Sequence, residues 1–364
     1  MARPTKASID LAAFRHNYRV AKTQSPSSQA VAIIKANAYG HGAIELAHAL
    51  PEADAFGVAC IEEAIELRES GIKQPILLLE GFFEESELEL IRQYDFWTAI
   101  HSPEHIDALE RQPVSSKVSV WLKLDSGMHR LGFTPQTYPA AFQRLSALPQ
   151  VNHIVHMTHF ACADELEKSM THAQLQVCDA TFANLDAHAC SFANSAATLA
   201  HSASHTEHHG GYTRPGIMLY GADPLSAPNS ASQQLIPVMT LSSKIIAIRD
   251  VPAGDAIGYG ERYRCSHNMR IGTVAIGYAD GYPRHAQDGT PVLVDGIRTS
   301  LVGRVSMDML TVDLTHIPDA HIGSSVELWG KTIKADEVAR YCDTIAYTLF
   351  TGITRRVHKE YIEG

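Results

Sequence analysis

Short apolar runs alternate with amphipathic segments through the first two-thirds of the chain. The first run covers residues 31–34, and runs at 54–59 and 75–79 follow it. Between these runs, at 42–50 and 62–70, apolar residues recur at three- and four-residue spacing. The change of period predicts buried strands separated by helices.

The alternation continues to residue 220 and gives eight predicted strands. The other five strands are predicted at 95–99, 118–124, 153–159, 191–193 and 216–220, with helices at 84–93, 103–111, 138–148, 165–188 and 196–201. Repeated strand–helix units imply a parallel sheet, and eight units are typical of a (β/α)8 barrel. A doubly wound open sheet is the alternative, but no glycine-rich dinucleotide turn follows the first strand.

The pattern changes after Gly221. Residues 223–234 are rich in Pro, Ser, Ala and Asn, which is typical of a linker. Six short strands are predicted beyond it, at 237–248, 272–276, 291–294, 299–305, 309–314 and 325–328, with a hairpin turn at Asp295-Gly296 and a helix at 335–341. We therefore expect two domains, a barrel over residues 1–225 and a mainly β domain over residues 226–364.

Composition and charge exclude several classes of protein. The 364 residues carry 30 Lys and Arg against 40 Asp and Glu, so the formal charge of -10 argues against nucleic-acid or anionic-membrane binding. No signal segment or membrane-length apolar run is present. The six cysteines are scattered without a C-x-x-C pair, which favours reduced thiols. We expect a cytoplasmic protein.

Two polar clusters are interpreted as solvated surface. Histidines 201, 205, 208 and 209 lie in a Ser/Thr/Gly-rich loop without other liganding residues at zinc-finger spacing. Glu80 and the acidic residues at 84–89 are assigned to the exposed face of a helix. We therefore expect no metal site.

Three polar groups fall where a (β/α)8 barrel has its active site. Lys35 ends the first strand, Asn194-Ser195 begins the helix after the seventh, and Arg214 lies at the eighth, with Gly216 close behind. Alone, these groups would be a strand's exit into water, an N-cap and a surface ion pair. Together, a lysine that can react with a carbonyl and an anion-binding helix start suit pyridoxal phosphate.

The sequence also resembles bacterial alanine racemases over nearly its whole length. The motifs that carry the resemblance are VAIIKANAYGHG at 31–42, WLKLDSGMHRLG at 121–132, GYADGYP at 277–283 and GRVSMD at 303–308. The resemblance implies interconversion of L- and D-alanine, pyridoxal 5'-phosphate as cofactor and a homodimer with shared active sites.

The resemblance also assigns roles to residues of the barrel. Lys35 would hold the cofactor and act as one catalytic base. Arg130 would lie beside the cofactor, and Lys123 would be a structural lysine that is often carbamylated. The remaining contacts would be with the phosphate, the pyridine nitrogen and the hydrogen-bond network around them: Tyr39, His159, Asn194, Ser195, Arg214, Gly216 and Ile217.

In the β domain the resemblance makes Tyr259, within Gly258-Tyr259-Gly260, the second base. Tyr278 would narrow the entrance, and Met307 and Asp308 would contact the substrate carboxylate together with Arg130. In the family these β-domain residues reach the cofactor of the other subunit. Without the resemblance, the same motifs would be interpreted as ordinary hairpin turns.

One position departs from the family pattern, and several functions stay open. Some racemases have a phosphate-binding tyrosine where this chain has Arg355, although Tyr347 lies nearby. The alternatives are an amino-acid racemase of broader specificity, a pyridoxal-dependent decarboxylase and a pyridoxal-binding barrel without racemase activity. The D-alanine would either supply peptidoglycan synthesis or be consumed.

Overall fold

A closed parallel barrel forms the first two-thirds of the protein in the computed structural model, which describes residues 3–114, 117–186, 188–201 and 211–364. Strand β1 (Lys6–Asp10) lies outside the barrel. The barrel strands, in spatial order, are β2 (Ser28–Ile33), β3 (Ala55–Val58), β4 (Ile76–Leu78), β5 (Phe96–Ile100), β6 (Val118–Lys123), β7 (Val151–Met157), β8 (Cys190–Ser191) and β9 (Gly211–Thr213). Strand β9 pairs with β2 and closes the ring, so the predicted (β/α)8 barrel is confirmed.

One helix follows β1, and the others follow barrel strands. They are α1 (Leu11–Gln24), the single turn α2 (Lys35–Tyr39), α3 (Ala43–Ala49), α4 (Ile61–Glu69), α5 (Glu87–Gln93), α6 (Pro103–Glu110), α7 (Tyr138–Ala147), α8 (Met170–Phe182) and α9 (Ser195–Ala200). Asp10 caps α1 by accepting a hydrogen bond from Ala13 N at 2.9 Å. Helix α8 is shorter at both ends than the predicted 165–188.

The strand predicted at 216–220 is wrong. Ile217–Tyr220 is a 3₁₀ helix, and the eighth barrel strand is β9, a few residues earlier. All four residues of the 3₁₀ helix are buried, and Asn17 of α1 donates a hydrogen bond to the carbonyl oxygen of Leu219. A four-residue apolar run buried on every side has no period that separates strand from helix.

The rest of the chain is mainly β, as predicted. Its strands are β10 (Met239–Val251), β11 (Ala256–Ile257), β12 (Tyr263–Arg264), β13 (Met269–Val274), β14 (Pro291–Val294), β15 (Ile297–Ser300), β16 (Leu310–Asp313), β17 (Ser325–Trp329) and β18 (His358–Ile362). Helices α10 (Ala335–Tyr341) and α11 (Ala346–Thr351) precede β18. Asp295 and Gly296, with φ of 47° and 82°, form the predicted hairpin turn between β14 and β15.

Strand β1 is not part of the barrel. It belongs to an eight-stranded second sheet, which it forms with β10 and β13 to β18. Strand β1 pairs antiparallel with β10 and parallel with β18, with Lys6 opposite both Ser242 and His358. From β18, the Tyr361 hydroxyl donates a hydrogen bond to the carbonyl oxygen of His41, just after α2. The second sheet therefore contacts the segment that follows the first barrel strand.

Two absences concern only the described residues. No helix in that part of the chain is long and apolar enough to cross a membrane. Nor do any three His, Cys, Asp or Glu side chains there lie close enough together to hold a metal ion. Of the histidine cluster, His205, His208 and His209 lie outside the described residues.

The glycine at the end of the 3₁₀ helix provides a test of the fold. Gly221 has φ +81°, and a Cβ atom there would overlap the carbonyl oxygen of Ile236. Gly254 has a similar φ of +90° but no heavy atom within 4 Å of a built Cβ. We expect Gly221→Ala to lower the free energy of unfolding by about 3 kcal/mol or more, because it adds steric overlap to the cost of the left-handed backbone.

Gly254→Ala is the matched control, and it should cost only about 1 kcal/mol because it carries the backbone penalty alone. Denaturant unfolding of both variants measures the difference. Equal losses would contradict a close approach between Gly221 and Ile236.

Candidate active site

A cavity of about 600 Å³ opens at the carboxyl ends of the barrel strands. Its walls come from the carboxyl ends of β2, β6 and β7, from the segments that follow these strands and β4, β8 and β9, and from α11. The ten cofactor-site and support residues predicted in the barrel all line it: Lys35, Tyr39, Lys123, Arg130, His159, Asn194, Ser195, Arg214, Gly216 and Ile217. Barrel closure therefore brings these ten residues together from six different parts of the sequence.

Lys35 enters the cavity from a left-handed turn of backbone. The four residues after it, Ala36, Asn37, Ala38 and Tyr39, all have φ between 49° and 52°. For residues with a side chain this conformation costs about 1–2 kcal/mol each. The turn after Lys35 is therefore strained, and strain of this kind persists only where surrounding contacts hold it.

Contacts at both ends hold the turn. At its start, Ala36 N donates to Glu63 Oε1 at 2.6 Å. At its end, the buried ring of His41 bonds through Nδ1 to the carbonyl oxygens of Ala38 and Tyr39, at 3.1 and 2.9 Å. Burial lowers the pKa of His41 to about 3, so the ring is neutral and Nδ1 is the donor.

Arg214 is a buried cation that joins three strand ends. Its guanidinium donates to the carbonyl oxygens of Thr158 and Ser191, both at 2.6 Å, and to Ser191 Oγ at 2.5 Å. It also lies 3.3 Å from His159 Nδ1. Burial lowers the pKa of Arg214 to about 9, and its hydrogen bonds to three oxygens hold the charge in place.

The other titratable groups of the cavity respond to this positive charge. Burial lowers the pKa of Lys123 to about 8, and the charges of Arg214 and Arg130 add to the effect. Burial also holds the pKa of His159 well below its usual value, with Arg214 as the next cause. Because Arg214 can only donate, His159 Nδ1 is the acceptor, and the ring is neutral with its proton on Nε2.

The residues that follow β8 and β9 place hydroxyls and backbone N–H groups together. Asn194 caps α9 by accepting from Ala197 N at 3.0 Å, and this fixes the position of Ser195. Ser195 Oγ accepts from Gly216 N at 2.7 Å. A Cβ on Gly216 would lie 2.8 Å from Tyr39 Oη, so only glycine leaves room beside that hydroxyl.

A carboxylate-centred loop brings Arg130 to the cavity. After β6, Asp125 accepts hydrogen bonds from Gly127 N at 3.1 Å and from His129 N and Nδ1 at 2.9 Å. These bonds fold the loop tightly, with His129 in the left-handed region at φ 57°. Arg130 and Leu131 follow at once and line the cavity.

The four residues predicted in the β domain do not reach this cavity within one chain. Tyr259, Tyr278 and Met307 are 67%, 37% and 53% exposed, and none is among the lining residues. Tyr278 and Met307 do share a surface, because Tyr278 N donates to Ser306 O at 3.0 Å and Ala279 N to Met307 O at 2.9 Å. Asp308 lies on the same loop, where Arg356 holds its carboxylate at 2.6 Å.

One lining residue contradicts its sequence-based assignment, and another had no definite role assigned from the sequence. Glu80 follows β4 and lines the cavity, so its assignment to a solvated helix face is wrong. Its position directly after an apolar strand could have predicted a place at the active site, because active sites of such barrels lie at the carboxyl ends of the strands. Tyr347 also lines the cavity, with its ring 5.7 Å from that of Tyr39, whereas Arg355 is exposed and outside the lining.

Comparison with known proteins identifies the same family in both parts of the chain. Residues 9–224 match the family model described as the N-terminal domain of alanine racemase, and residues 238–361 match the C-terminal domain. An alanine racemase of Chromohalobacter salexigens is 55% identical over 363 residues, which cover 99% of this chain and 98% of that protein.

Solved structures agree with the sequence matches. The crystal structure of a biosynthetic alanine racemase from Pseudomonas aeruginosa superposes with a TM-score of 0.95 at 48% identity and covers 99% of both chains. An alanine racemase from Bartonella henselae, crystallised with covalently bound pyridoxal phosphate, has a TM-score of 0.89 at 28% identity, with the same coverage. From these matches over nearly its full length, the chain belongs to the alanine racemase family.

Proposed function

We propose that this protein is an alanine racemase that interconverts L- and D-alanine with pyridoxal 5'-phosphate as cofactor and with Lys35 and Tyr259 as its two bases. The observation that carries the proposal is the position of Lys35 in a barrel-end cavity that is lined by three further cations, Lys123, Arg130 and Arg214. In this proposal, residues 1–225 hold the cofactor and residues 226–364 supply the second base.

The residues of the cavity fit the cofactor. A volume of about 600 Å³ lies within the usual range for small-ligand sites. Among the described lining residues Glu80 is the single carboxylate against four cations, so the cavity suits an anion such as a phosphate or a carboxylate. The absent side chain at Gly216 leaves room for an anion beside the hydroxyls of Tyr39 and Ser195.

Each barrel residue then has a role toward the cofactor. Lys35 Nζ attaches it, and its phosphate is held by the Tyr39 and Ser195 hydroxyls with the backbone N–H groups of Gly216 and Ile217. When bound, pyridoxal phosphate supplies an electron sink that makes the α-proton of an attached amino acid acidic. Arg214 offers donors only, so it would leave the pyridine nitrogen of the cofactor unprotonated if it held that atom.

In this proposal, the groups that recognise the substrate bind its carboxylate and keep it attached. Arg130 contacts the carboxylate of alanine together with the partner subunit's Met307 and the partner subunit's Asp308, and Lys123 supports Arg130. The same carboxylate contacts disfavour a decarboxylase, which must expel that group. The partner subunit's Tyr278 narrows the entrance, which favours a small substrate over an amino acid with a large side chain.

Inversion of the α-carbon needs a proton removed from one face and returned on the other, so two fixed bases serve it better than one. Lys35 takes the α-proton of D-alanine, and a tyrosine takes that of L-alanine. A free phenol is a weak base near neutral pH because its pKa lies near 10, so this tyrosine needs the cations of the cavity beside it.

The exposure of Tyr259 supports a homodimer with shared sites. A base that is 67% exposed and outside the cavity of its own chain has to act in another copy. We infer that the partner subunit's Tyr259 completes each site. We place this dimer in the cytoplasm, where its D-alanine would supply peptidoglycan synthesis or be broken down.

Replacing Lys35 tests the attachment of the cofactor. Two lysines line the cavity, and Lys123 is the competing amine because its pKa is already lowered to about 8. After borohydride reduction of the holoenzyme, we expect mass spectrometry to find the cofactor on the Lys35 peptide. Lys35→Ala should lose the label and at least about 10³-fold in kcat.

Lys123→Met is the matched control and should keep the label on Lys35. If the label survives in Lys35→Ala and disappears in Lys123→Met, Lys123 is the anchor and the assignment to Lys35 is contradicted.

Replacing Tyr259 tests the separation of the two bases. Tyr259→Phe removes the phenolic oxygen, so we expect exchange of the α-proton of L-alanine with solvent to slow by about 10²–10⁴-fold. Exchange from D-alanine should change far less, because Lys35 is untouched. The two exchange rates are measured separately by NMR, as deuterium incorporation into L-alanine and into D-alanine. Tyr341→Phe, which changes an exposed tyrosine, is the control and should leave both rates unchanged. Equal slowing from both enantiomers would rule out one base per face.

Mixed dimers test whether the site is shared. In a heterodimer of Lys35→Ala and Tyr259→Phe chains, one site lacks both bases and the other has both. Random pairing after co-expression should restore about a quarter of the wild-type sites. Racemase activity of the purified mixture, compared with each variant alone, measures the recovery. Complete inactivity of a verified heterodimer would mean that each chain uses its own tyrosine.

A further inference from the structure

We propose that Glu63 is a positioning residue for Lys35, and that it acts by holding the strained left-handed turn through which Lys35 enters the cavity. The proposal deepens the function proposed above and rests on Lys35 being the cofactor anchor. Glu63 lies on α4, outside the lining of the cavity, and it makes no contact with the Lys35 side chain that would give it a direct part in the chemistry.

The two carboxylate oxygens of Glu63 accept hydrogen bonds from two different segments of the chain. Oε2 accepts from Ala59 N at 2.9 Å, one residue before the N-cap Cys60, and so caps the start of α4 much as a glutamate in the first turn of a helix usually does. Oε1 accepts from Ala36 N at 2.6 Å, and Ala36 is the residue directly after Lys35. Capping of α4 explains the first bond only, so the second needs a separate reason.

That reason lies in the backbone of the turn. Ala36 is the first of four successive residues with φ near 50°. Unlike glycine, alanine adopts this conformation only at an energetic cost. Ala36 N belongs to the peptide bond that directly follows Lys35. A charged acceptor at 2.6 Å fixes this peptide, and with it the direction in which the Lys35 side chain leaves the backbone.

A second polar clamp holds the same turn from the other side. Asn37 Oδ1 accepts from Ala43 N at 2.9 Å, at the start of α3. Glu63 and Asn37 therefore fix the turn to two different helices. If the turn positions Lys35, loss of either clamp should have the same effect on the cofactor, although the two clamps share no contact.

The test uses Glu63→Gln with Glu62→Gln as its control. Glutamine keeps the size of Glu63 but has one acceptor oxygen, so it can accept only one of the two N–H groups. Glu62 lies beside Glu63 in the first turn of α4, is exposed and loses the same charge when replaced. In the holoenzymes, we expect Glu63→Gln to retain the cofactor roughly tenfold less tightly during dialysis, whereas Glu62→Gln stays within about twofold of wild type.

Two further variants separate positioning from general folding. Asn37→Ala should weaken cofactor retention in the same direction without touching α4. Adding Ala36→Gly to Glu63→Gln should recover most of the loss, because glycine adopts the left-handed conformation without the penalty of a Cβ atom. The thermal unfolding midpoint of every variant is measured alongside, together with the fraction of Lys35 labelled by borohydride at saturating cofactor.

Each outcome has one meaning. If wild-type protein gives no label on Lys35, the proposed function fails. If wild type is labelled and Glu63→Gln matches Glu62→Gln, the positioning role of Glu63 is overturned while the proposed function stands. If the loss in Glu63→Gln follows the unfolding midpoint and Ala36→Gly does not restore it, Glu63 serves only the fold, and the proposal is again overturned.

Discussion

The buried guanidinium of Arg214 is the interaction on which the site depends. An arginine at the end of β9 cannot lose its charge at physiological pH, so its burial requires acceptors on every side. The carbonyl oxygens of Thr158 and Ser191 supply them from the ends of β7 and β8. Those strand ends must stay in register for the charge to be tolerated, and the same register places His159 and Ser195 around the cavity.

The positive charge also sets the protonation of its neighbours. It adds to the burial that lowers the pKa of Lys123 and of His159, so the cavity contains a partly neutral amine and a neutral imidazole beside permanent cations. A cavity of this kind is stabilised by a bound anion, because the anion offsets repulsion that the protein alone leaves in place. The positive charge of the cavity and the lysine proposed as the anchor thus both favour an anionic cofactor.

The sequence predicts the barrel well because buried parallel strands and amphipathic helices have clear periods. It fails where that signal is weak or non-local. The apolar run at Ile217–Tyr220 is indistinguishable from a strand until α1 is seen to cover it, and β1 looks like any opening strand until it pairs with β18. The left-handed turn after Lys35 contains alanines, an asparagine and a tyrosine, none of which demands φ near 50°. Its conformation comes from tertiary contacts, and Glu63 could not be connected to it from sequence alone.

The pairing of β1 with β10 and β18 has a consequence for the order of assembly. During synthesis, all eight barrel strands leave the ribosome before either partner of β1 does. The second sheet can therefore close only after the barrel strands have been made, and its pairing is long-range, the kind of contact that forms more slowly than a local helix. Tyr361 of β18 makes its hydrogen bond to His41 only at that point. The segment that follows the Lys35 turn thus takes one of its contacts from β18, a strand that can pair only after the barrel strands have been made.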